Sequence, residues 1–346
     1  MAGYSQPDVG HPNARASRRA GLALACVLGV LATGCGSDQS ITSPVTEPAR
    51  EIDTLWWAMF AGGMVIFAVV LGLLVLAYVR RRRSSDPDRA ERVSYAVILG
   101  GGMVAPVVLL AVLFAFVIRV MPAVSAPEPG STSLTVEVTG HEWYWEVRYP
   151  GTDAVTANEI HLPAGTPVRI VARTADVIHS FWVPRLNRKI DMIPGRTNSI
   201  ELDVPKVGTY RGQCSEFCGL GHAEMAFEVI VQPPAAFRRW LDHEAQPAET
   251  PSGGAAAAGQ EEFQSASCED CHTIRGTPAD GKVGPDLTHI GSRRTLAALT
   301  IPNTPGDLYQ WITNPQGWKP GSRMPGFASL PASARRALVS YLEGLR

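Results

Sequence analysis

Residues 214–225 read CSEFCGLGHAEM, which sets two thiols four residues apart, an imidazole four further on and a thioether three beyond that. Another imidazole, His179 in DVIHSFWVP, opens a strand-like segment upstream. In an exported chain the plain alternative for Cys214 and Cys218 is a disulfide. His222, Met225 and His179, with the hydrophobic SFW and MAF segments to exclude water, turn the reading toward a metal; soft sulfur with imidazole on β-structure favours copper over zinc. A second cluster follows downstream. CEDCH at 268–272 fits C-x-x-C-H, the attachment signature of haem c: each thiol adds to a vinyl group and the adjacent His272 reaches the iron. A thioredoxin-like pair or half a zinc site would explain Cys268 and Cys271 but not the histidine. Past residue 272 the chain has one methionine, Met324 in GSRMPGF, and one histidine, His289. Met324 is therefore expected as the sixth iron ligand and His289 as an exposed residue.

These donors need rigid elements behind them. From Ser131 the sequence runs in short alternating stretches, SLTVEVTG, PVRIVART, TNSIELDV and AFEVIVQPP, separated by Gly, Pro, Asn and Asp. That period of two predicts a small antiparallel β-sandwich over 123–235, with the thiols in the loop before its last strand. QPAETPSGGAAAAGQ is small-residued and poor in core formers, and a linker is expected over 236–259. A compact helical domain over 260–346 then closes with PASARRALVSYLEGL.

Two apolar stretches precede the sandwich, about 55–79 and 95–118, each long enough to cross a bilayer. They predict a membrane hairpin over 35–122. RRRRSSDPDRAER between them places that loop in the cytoplasm by the positive-inside rule, so both soluble domains lie outside it. Residues 1–34 read as a signal peptide, with Arg15, Arg18 and Arg19 ahead of a short apolar run, and ATGC makes Cys35 the candidate lipidated residue. A net charge of −1 points to no nucleic-acid partner.

DVIHSFWVP followed by YRGQCSEFCGLGHAEM resembles the dinuclear CuA site of subunit II of haem–copper cytochrome c oxidases. C-x-E-x-C-x-x-x-H-x-x-M is met at every position, and the hairpin and GHEWYWEVRYP fit the same family over about residues 50–235. The resemblance implies a multidomain chain: a two-helix transmembrane hairpin, an all-β cupredoxin-like sandwich and a small all-α cytochrome c domain. It implies two copper ions bridged by Cys214 and Cys218, with His179 and His222 each on one copper. Met225 would be the weak ligand on one ion and the Glu216 carbonyl on the other. The Glu216 carboxylate would reach a magnesium ion shared with the catalytic subunit, and Trp143 would be the electron entry to copper. The last domain is similar to class I cytochrome c, with VGPDL placing the Pro285 carbonyl against the proximal imidazole and Met324 as distal ligand.

The implied function is electron transfer from an external cytochrome c or cytochrome bc complex, through haem c and copper, to a catalytic subunit I that reduces oxygen to water. The other oxidase subunits and the bacterial cell membrane are the remaining expected partners. Two further readings stay open: a CuA-containing subunit of a nitric oxide reductase, and a stand-alone membrane-anchored electron-transfer lipoprotein. The family places a glutamate near the start of its second membrane helix at a proton channel. Glu91 is the nearest here and reads instead as a membrane-flanking charge. His141 and His161 read as structural or exposed.

Overall fold

The computed structural model describes residues 38–80, 87–124, 132–249, 251 and 253–346. The signal segment, Cys35 and most of the arginine run lie outside these residues.

Helix α1 (Glu47–Arg80) and a second apolar helix form the hairpin. The second runs from α2 (Pro87–Leu99) through a π-turn at Gly100–Val104 into α3 (Ala105–Val120). Both carry exposed apolar side chains along their length, as a lipid-facing helix must. They extend beyond the expected 55–79 and 95–118, because hydropathy finds only the lipid-buried stretch of a helix. The start of α1 and the two residues before it have another role. Val45 N–H donates to the Arg185 carbonyl at 2.9 Å, the Thr46 hydroxyl donates to the Leu186 carbonyl, and Ala49 is buried. The hairpin is thereby tied to the sandwich.

Ten strands follow: β1 (Leu134–His141), β2 (Tyr144–Arg148), β3 (Val155–Ala157), β4 (Glu159–Pro163), β5 (Val168–Thr174), β6 (His179–Trp182), β7 (Ile190–Met192), β8 (Asn198–Leu202), β9 (Gly208–Cys214) and β10 (Ala226–Gln232). They form two five-stranded sheets, ordered β3-β2-β1-β5-β8 and β4-β10-β9-β6-β7. The sandwich is mixed rather than purely antiparallel, since β1 pairs with β5 and β10 with β4 in parallel. Alternate side chains point inward: Val136, Val138, Trp145 and Ile170 from one sheet meet Ile160, Phe181, Phe227 and Val229 from the other.

The stretch read as a linker is largely ordered. Helix α4 (Pro234–Glu244) packs Phe237 into the sandwich core and lays Trp240 flat on His161, ring centroids 3.8 Å apart. His161 is thus structural and buried. Helix α5 (Gly254–Ser265) absorbs GAAAAGQ. Alanine is the strongest helix former, and a Cβ on Gly259 would run into the Ala337 carbonyl of the closing helix. The small residues permit a close helix crossing there, a need that composition alone does not separate from flexibility.

The last domain is small and mainly helical. Its core joins Phe263 of α5 to α6 (Pro305–Thr313) and α8 (Ala332–Gly344), and a four-residue α7 (Pro315–Trp318) follows α6. It packs directly on the sandwich. The Arg294 backbone N–H donates to Glu159 at 2.8 Å and its guanidinium pairs with Glu228 at 3.1 Å. Arg323 pairs with Glu142 at 3.4 Å, and Arg275 bonds the Glu244 and Ala245 carbonyls at the end of α4. His289, expected on the surface, is only 2 % exposed because this docking covers it.

Candidate metal centre and haem cavity

Strand pairing brings the copper-type donors together. Phe181 of β6 stands opposite Cys214 at the end of β9, so His179, two residues earlier on β6, reaches the same edge. The 215–225 loop folds back under fixed bonds: Ser215 N–H to the Ser180 carbonyl at 3.0 Å and Cys214 N–H to the Met225 carbonyl at 2.9 Å. Cys214 and Cys218 are both free, with sulfurs 3.7 Å apart, so they form no disulfide. His179 Nδ1 lies 3.9 Å from the Cys214 sulfur; His222 Nδ1 and the Met225 sulfur lie 3.6 and 3.7 Å from that of Cys218. The Glu216 carbonyl faces Cys214 Sγ at 3.2 Å. All six expected residues therefore converge. His179, Cys214, Cys218 and Met225 are buried, while His222 sits at the rim.

The electrostatics favour a cation. Hydrogen bonding from Cys218 and from His179 brings the Cys214 thiol down to about 3, against the opposing effect of burial. The hydrogen bond with Cys214 and burial in turn hold the Cys218 thiol up. Burial disfavours charge on His179, but the Asp176 carboxylate and Cys214 outweigh it and raise the imidazole to about 9. Asp176 was not evident from the sequence. It accepts from His179 Nε2 at 2.8 Å, from Val177 N–H at 2.8 Å and from Glu142 N–H at 2.7 Å. The Nε2 bond turns Nδ1 toward the thiols, as outer partners of metal-bound histidines commonly do. Its only trace in the sequence is a carboxylate three residues before the histidine. Two close thiols, two imidazoles, a thioether and a carbonyl fit copper by donor chemistry.

The second cluster is equally assembled. Cys268 opens a short turn, and Cys271 and His272 N–H both donate to its carbonyl at 3.3 and 3.0 Å. These residues line a cavity of about 330 Å³ together with Pro285, Trp311, Phe327 and Met324. His272 Nδ1 donates to the Pro285 carbonyl at 2.8 Å, which leaves Nε2 with its lone pair. Burial lowers the His272 pKa, keeping the ring neutral as an iron ligand requires. A Cβ on Gly284 would stand 2.5 Å from His272 Cε1, so the loop can clasp the imidazole only with glycine there. Burial pushes the Cys268 thiol up to about 11. An apolar cavity with two thiols, an oriented imidazole and a thioether fits haem c.

Trp143 joins the two clusters. Its Nε1 donates to the Cys218 carbonyl at 2.8 Å, while its ring lines the haem cavity. Cβ atoms built on Gly221 and Gly219 of the copper loop, and on Gly321 of the haem domain, would lie 2.6, 3.0 and 3.0 Å from the indole. Beside it Lys319 reaches out of the haem domain. Its ammonium donates to the carbonyls of Trp143 (2.6 Å), Glu224 (2.7 Å) and Ala297 (3.2 Å), and burial brings its pKa down to about 7. Neither the glycine cradle nor Lys319 was legible in the sequence, because each forms only when the domains meet. His141 is half-buried, stacked on Tyr144, and Met192 lies in the core opposite His179.

Comparison with known proteins identifies the families of the two soluble domains. Residues 152–232 match the family model "Cytochrome C oxidase subunit II, periplasmic domain", and residues 256–346 match "Cytochrome c". Cytochrome c oxidase subunit 2 of Alkalihalophilus pseudofirmus is 30 % identical over 322 residues, covering 91 % of this chain and 93 % of that one. That of Bacillus subtilis is 27 % identical over 351 residues, covering 93 % and 96 %. The periplasmic domain of subunit II of cytochrome oxidase from Bradyrhizobium japonicum is 32 % identical, with a TM-score of 0.33, and covers 35 % of this chain and 96 % of that domain. Given a relative at this identity spanning nearly both full lengths, the chain belongs to the cytochrome c oxidase subunit 2 family.

Proposed function

We propose that this chain is the electron-receiving subunit of a haem–copper cytochrome c oxidase, with His179, Cys214, Cys218, His222, Met225 and the Glu216 carbonyl holding two coppers. Cys268 and Cys271 carry haem c, and His272 and Met324 are its axial ligands. With both groups bound, the chain supplies one-electron carriers between an external cytochrome c or cytochrome bc complex and the catalytic subunit I, where oxygen is reduced to water. One observation carries the reading: a single side chain, Trp143, touches the copper loop through the Cys218 carbonyl and the haem cavity through its ring.

The protein's own residues supply rigidity. Asp176 fixes His179, the β6–β9 edge fixes Cys214, and the Pro285 carbonyl fixes His272. Little of this frame needs to move when an electron passes. Phe217 and Leu220 on the copper loop are 76 % and 77 % exposed, an apolar rim suited to burial against another oxidase subunit. The Glu216 carboxylate points outward with Lys189 3.5 Å away, where a partner could complete a magnesium site. Both soluble domains lie on the extracytoplasmic side of the bacterial membrane, and Cys35 carries a lipid.

The test is metal and optical analysis of the full chain, expressed with haem c maturation and loaded with copper. Two coppers per haem and a mixed-valence copper resonance abolished in Cys218→Ser are expected. A normal haem spectrum with no bound copper and a Cys214–Cys218 disulfide, after reduction and copper loading, would refute the proposal.

A further inference from the structure

A third group of ligand-type side chains belongs neither to the copper donors nor to the lining of the haem cavity. His243 and Glu244 end α4, which belongs to the sandwich, and His289 belongs to the haem domain. One ligand atom from each falls within 4.8 Å of the others. The His243 and His289 rings lie with centroids 4.9 Å apart. Glu244 is 4 % exposed and His289 2 %, yet Glu244 Oε1 and His289 Nδ1 have no hydrogen-bond partner. A buried carboxylate oxygen and a buried ring nitrogen without partners are each costly. Two such atoms in one cluster with a third donor call for a shared occupant.

The surroundings fix the donors. His289 Nε2 lies 3.0 Å from the Gln246 carbonyl, which can only accept. Nε2 therefore carries the proton and Nδ1 the lone pair, the tautomer and outer contact found for metal-bound histidines. Arg275 bonds the Glu244 and Ala245 carbonyls, and Gln246 N–H donates to the His243 carbonyl at 2.9 Å, so the backbone beneath the ligands is held from both sides. The nearby cations do not satisfy the carboxylate: Arg293 donates to the Asp286 carbonyl at 2.5 Å, and Arg275 leans toward the Asp286 carboxylate at 3.9 Å. His243 is exposed, which leaves an entry from solvent and room for a water ligand.

We infer that His243, Glu244 and His289 form a binding site for a divalent cation of the zinc class, which clips the end of α4 to the haem domain. Two imidazoles and one carboxylate, with a fourth position open to water, suit zinc in number and hardness. Calcium and magnesium would want more oxygen ligands. Because the ligands come from both domains, the cation stabilises their docking and nothing else in the chain needs to move. The inference stands whether or not the copper and haem assignments hold.

The test uses the full chain with haem attached and the copper site loaded, so that the thiols cannot take zinc. Zinc affinity is read by competition with a fluorescent chelator. Wild type is expected to bind one zinc. Glu244→Gln and His243→Ala should each weaken binding at least by the roughly 10–100-fold that loss of even an outer-sphere partner costs. His243 is exposed, so that variant tests the ligand without disturbing the core, and an unchanged haem spectrum checks the fold. Zinc should also slow hydrogen exchange at residues 243–246 and 289–293. No zinc uptake by wild type, affinity unchanged from wild type in either variant, or zinc binding without that protection would overturn the inference.

Discussion

Replacing Gly221 with alanine tests whether Trp143 is the mechanical and electronic link between the domains. The new Cβ would stand 2.6 Å from Trp143 Cδ2 and 2.8 Å from Cγ and Cε3. Ordinary carbon contacts lie at about 3.5–4.0 Å, so an indole atom must retreat by about 1 Å. Little room exists for that retreat. The Nε1 bond to the Cys218 carbonyl holds one edge at 2.8 Å, and Gly321 of the haem domain closes the far side, already at tight contact for any larger residue. Overpacking of this kind costs about 1–3 kcal/mol. The least constrained response is for the haem domain to lift away, because the copper loop is pinned to β6 and β9. A shift of that size changes the ratio of docked to undocked haem domain roughly 5- to 150-fold. The assay is the rate of electron transfer from haem to copper after rapid reduction of the haem, with hydrogen exchange over residues 319–324 as the structural readout. Gly306→Ala, whose Cβ would meet only the Thr304 hydroxyl at 3.9 Å, is the control. Slower transfer and faster exchange in Gly221→Ala alone are expected. Unchanged values of both would refute the role given to Trp143.

Three further outcomes are expected. Asp176→Asn removes the charge that holds His179 Nε2, so copper affinity, read by chelator competition, should fall by about 10–100-fold with the fold intact. Gly284→Ala drives a Cβ into the His272 ring and off the Pro285 carbonyl, for about 1–3 kcal/mol, lowering the thermal midpoint of the haem domain by about 4–8 °C per kcal/mol and altering the haem spectrum. Lys319 titrates at about 7 when docked and 10.5 ordinarily, so the unfolded chain binds the extra proton between those values. Stability should therefore rise with pH across that window, by at most about 1.4 kcal/mol per unit, and Lys319→Met should remove the slope in thermal unfolding at pH 7 and pH 9.

Legibility in the sequence follows the range of the interaction. Cys214, Cys218, His222 and Met225 are readable because one loop carries them at fixed spacing, and Cys268, Cys271 and His272 because one turn does. His179 is thirty-five residues from Cys214 and became readable only with its flanking segment. The sandwich was legible from period-two alternation, but its parallel β1–β5 and β4–β10 pairs were not, since alternation is blind to strand direction. Lys319, Gly221, Gly321 and the burial of His289 left no signal because each depends on the packing of two domains. GAAAAGQ misled for a related reason: small side chains serve equally for a loose tether and for helices in close contact, and Gly259 against Ala337 decides for the second.

That interdomain layer also explains a chemical oddity. A lysine only 3 % exposed next to a copper-type site is costly, and its pKa near 7 reflects that cost. The ammonium nevertheless has three protons, and Trp143, Glu224 and Ala297 present three carbonyls. The Ala297 carbonyl has another donor in the Thr300 hydroxyl, so removing Lys319 chiefly strands the carbonyls of Trp143 and Glu224, both on the copper side. Stranding a buried acceptor costs about 1–3 kcal/mol each, which is comparable to the relief from no longer burying a charge. Net stability is therefore a poor guide to what Lys319 does. Its effect is positional: one side chain from the haem domain grips the backbone of Trp143 and of the residue before Met225. Undocking must break both grips together, so the approach of the haem domain and the placement of the tryptophan are one event.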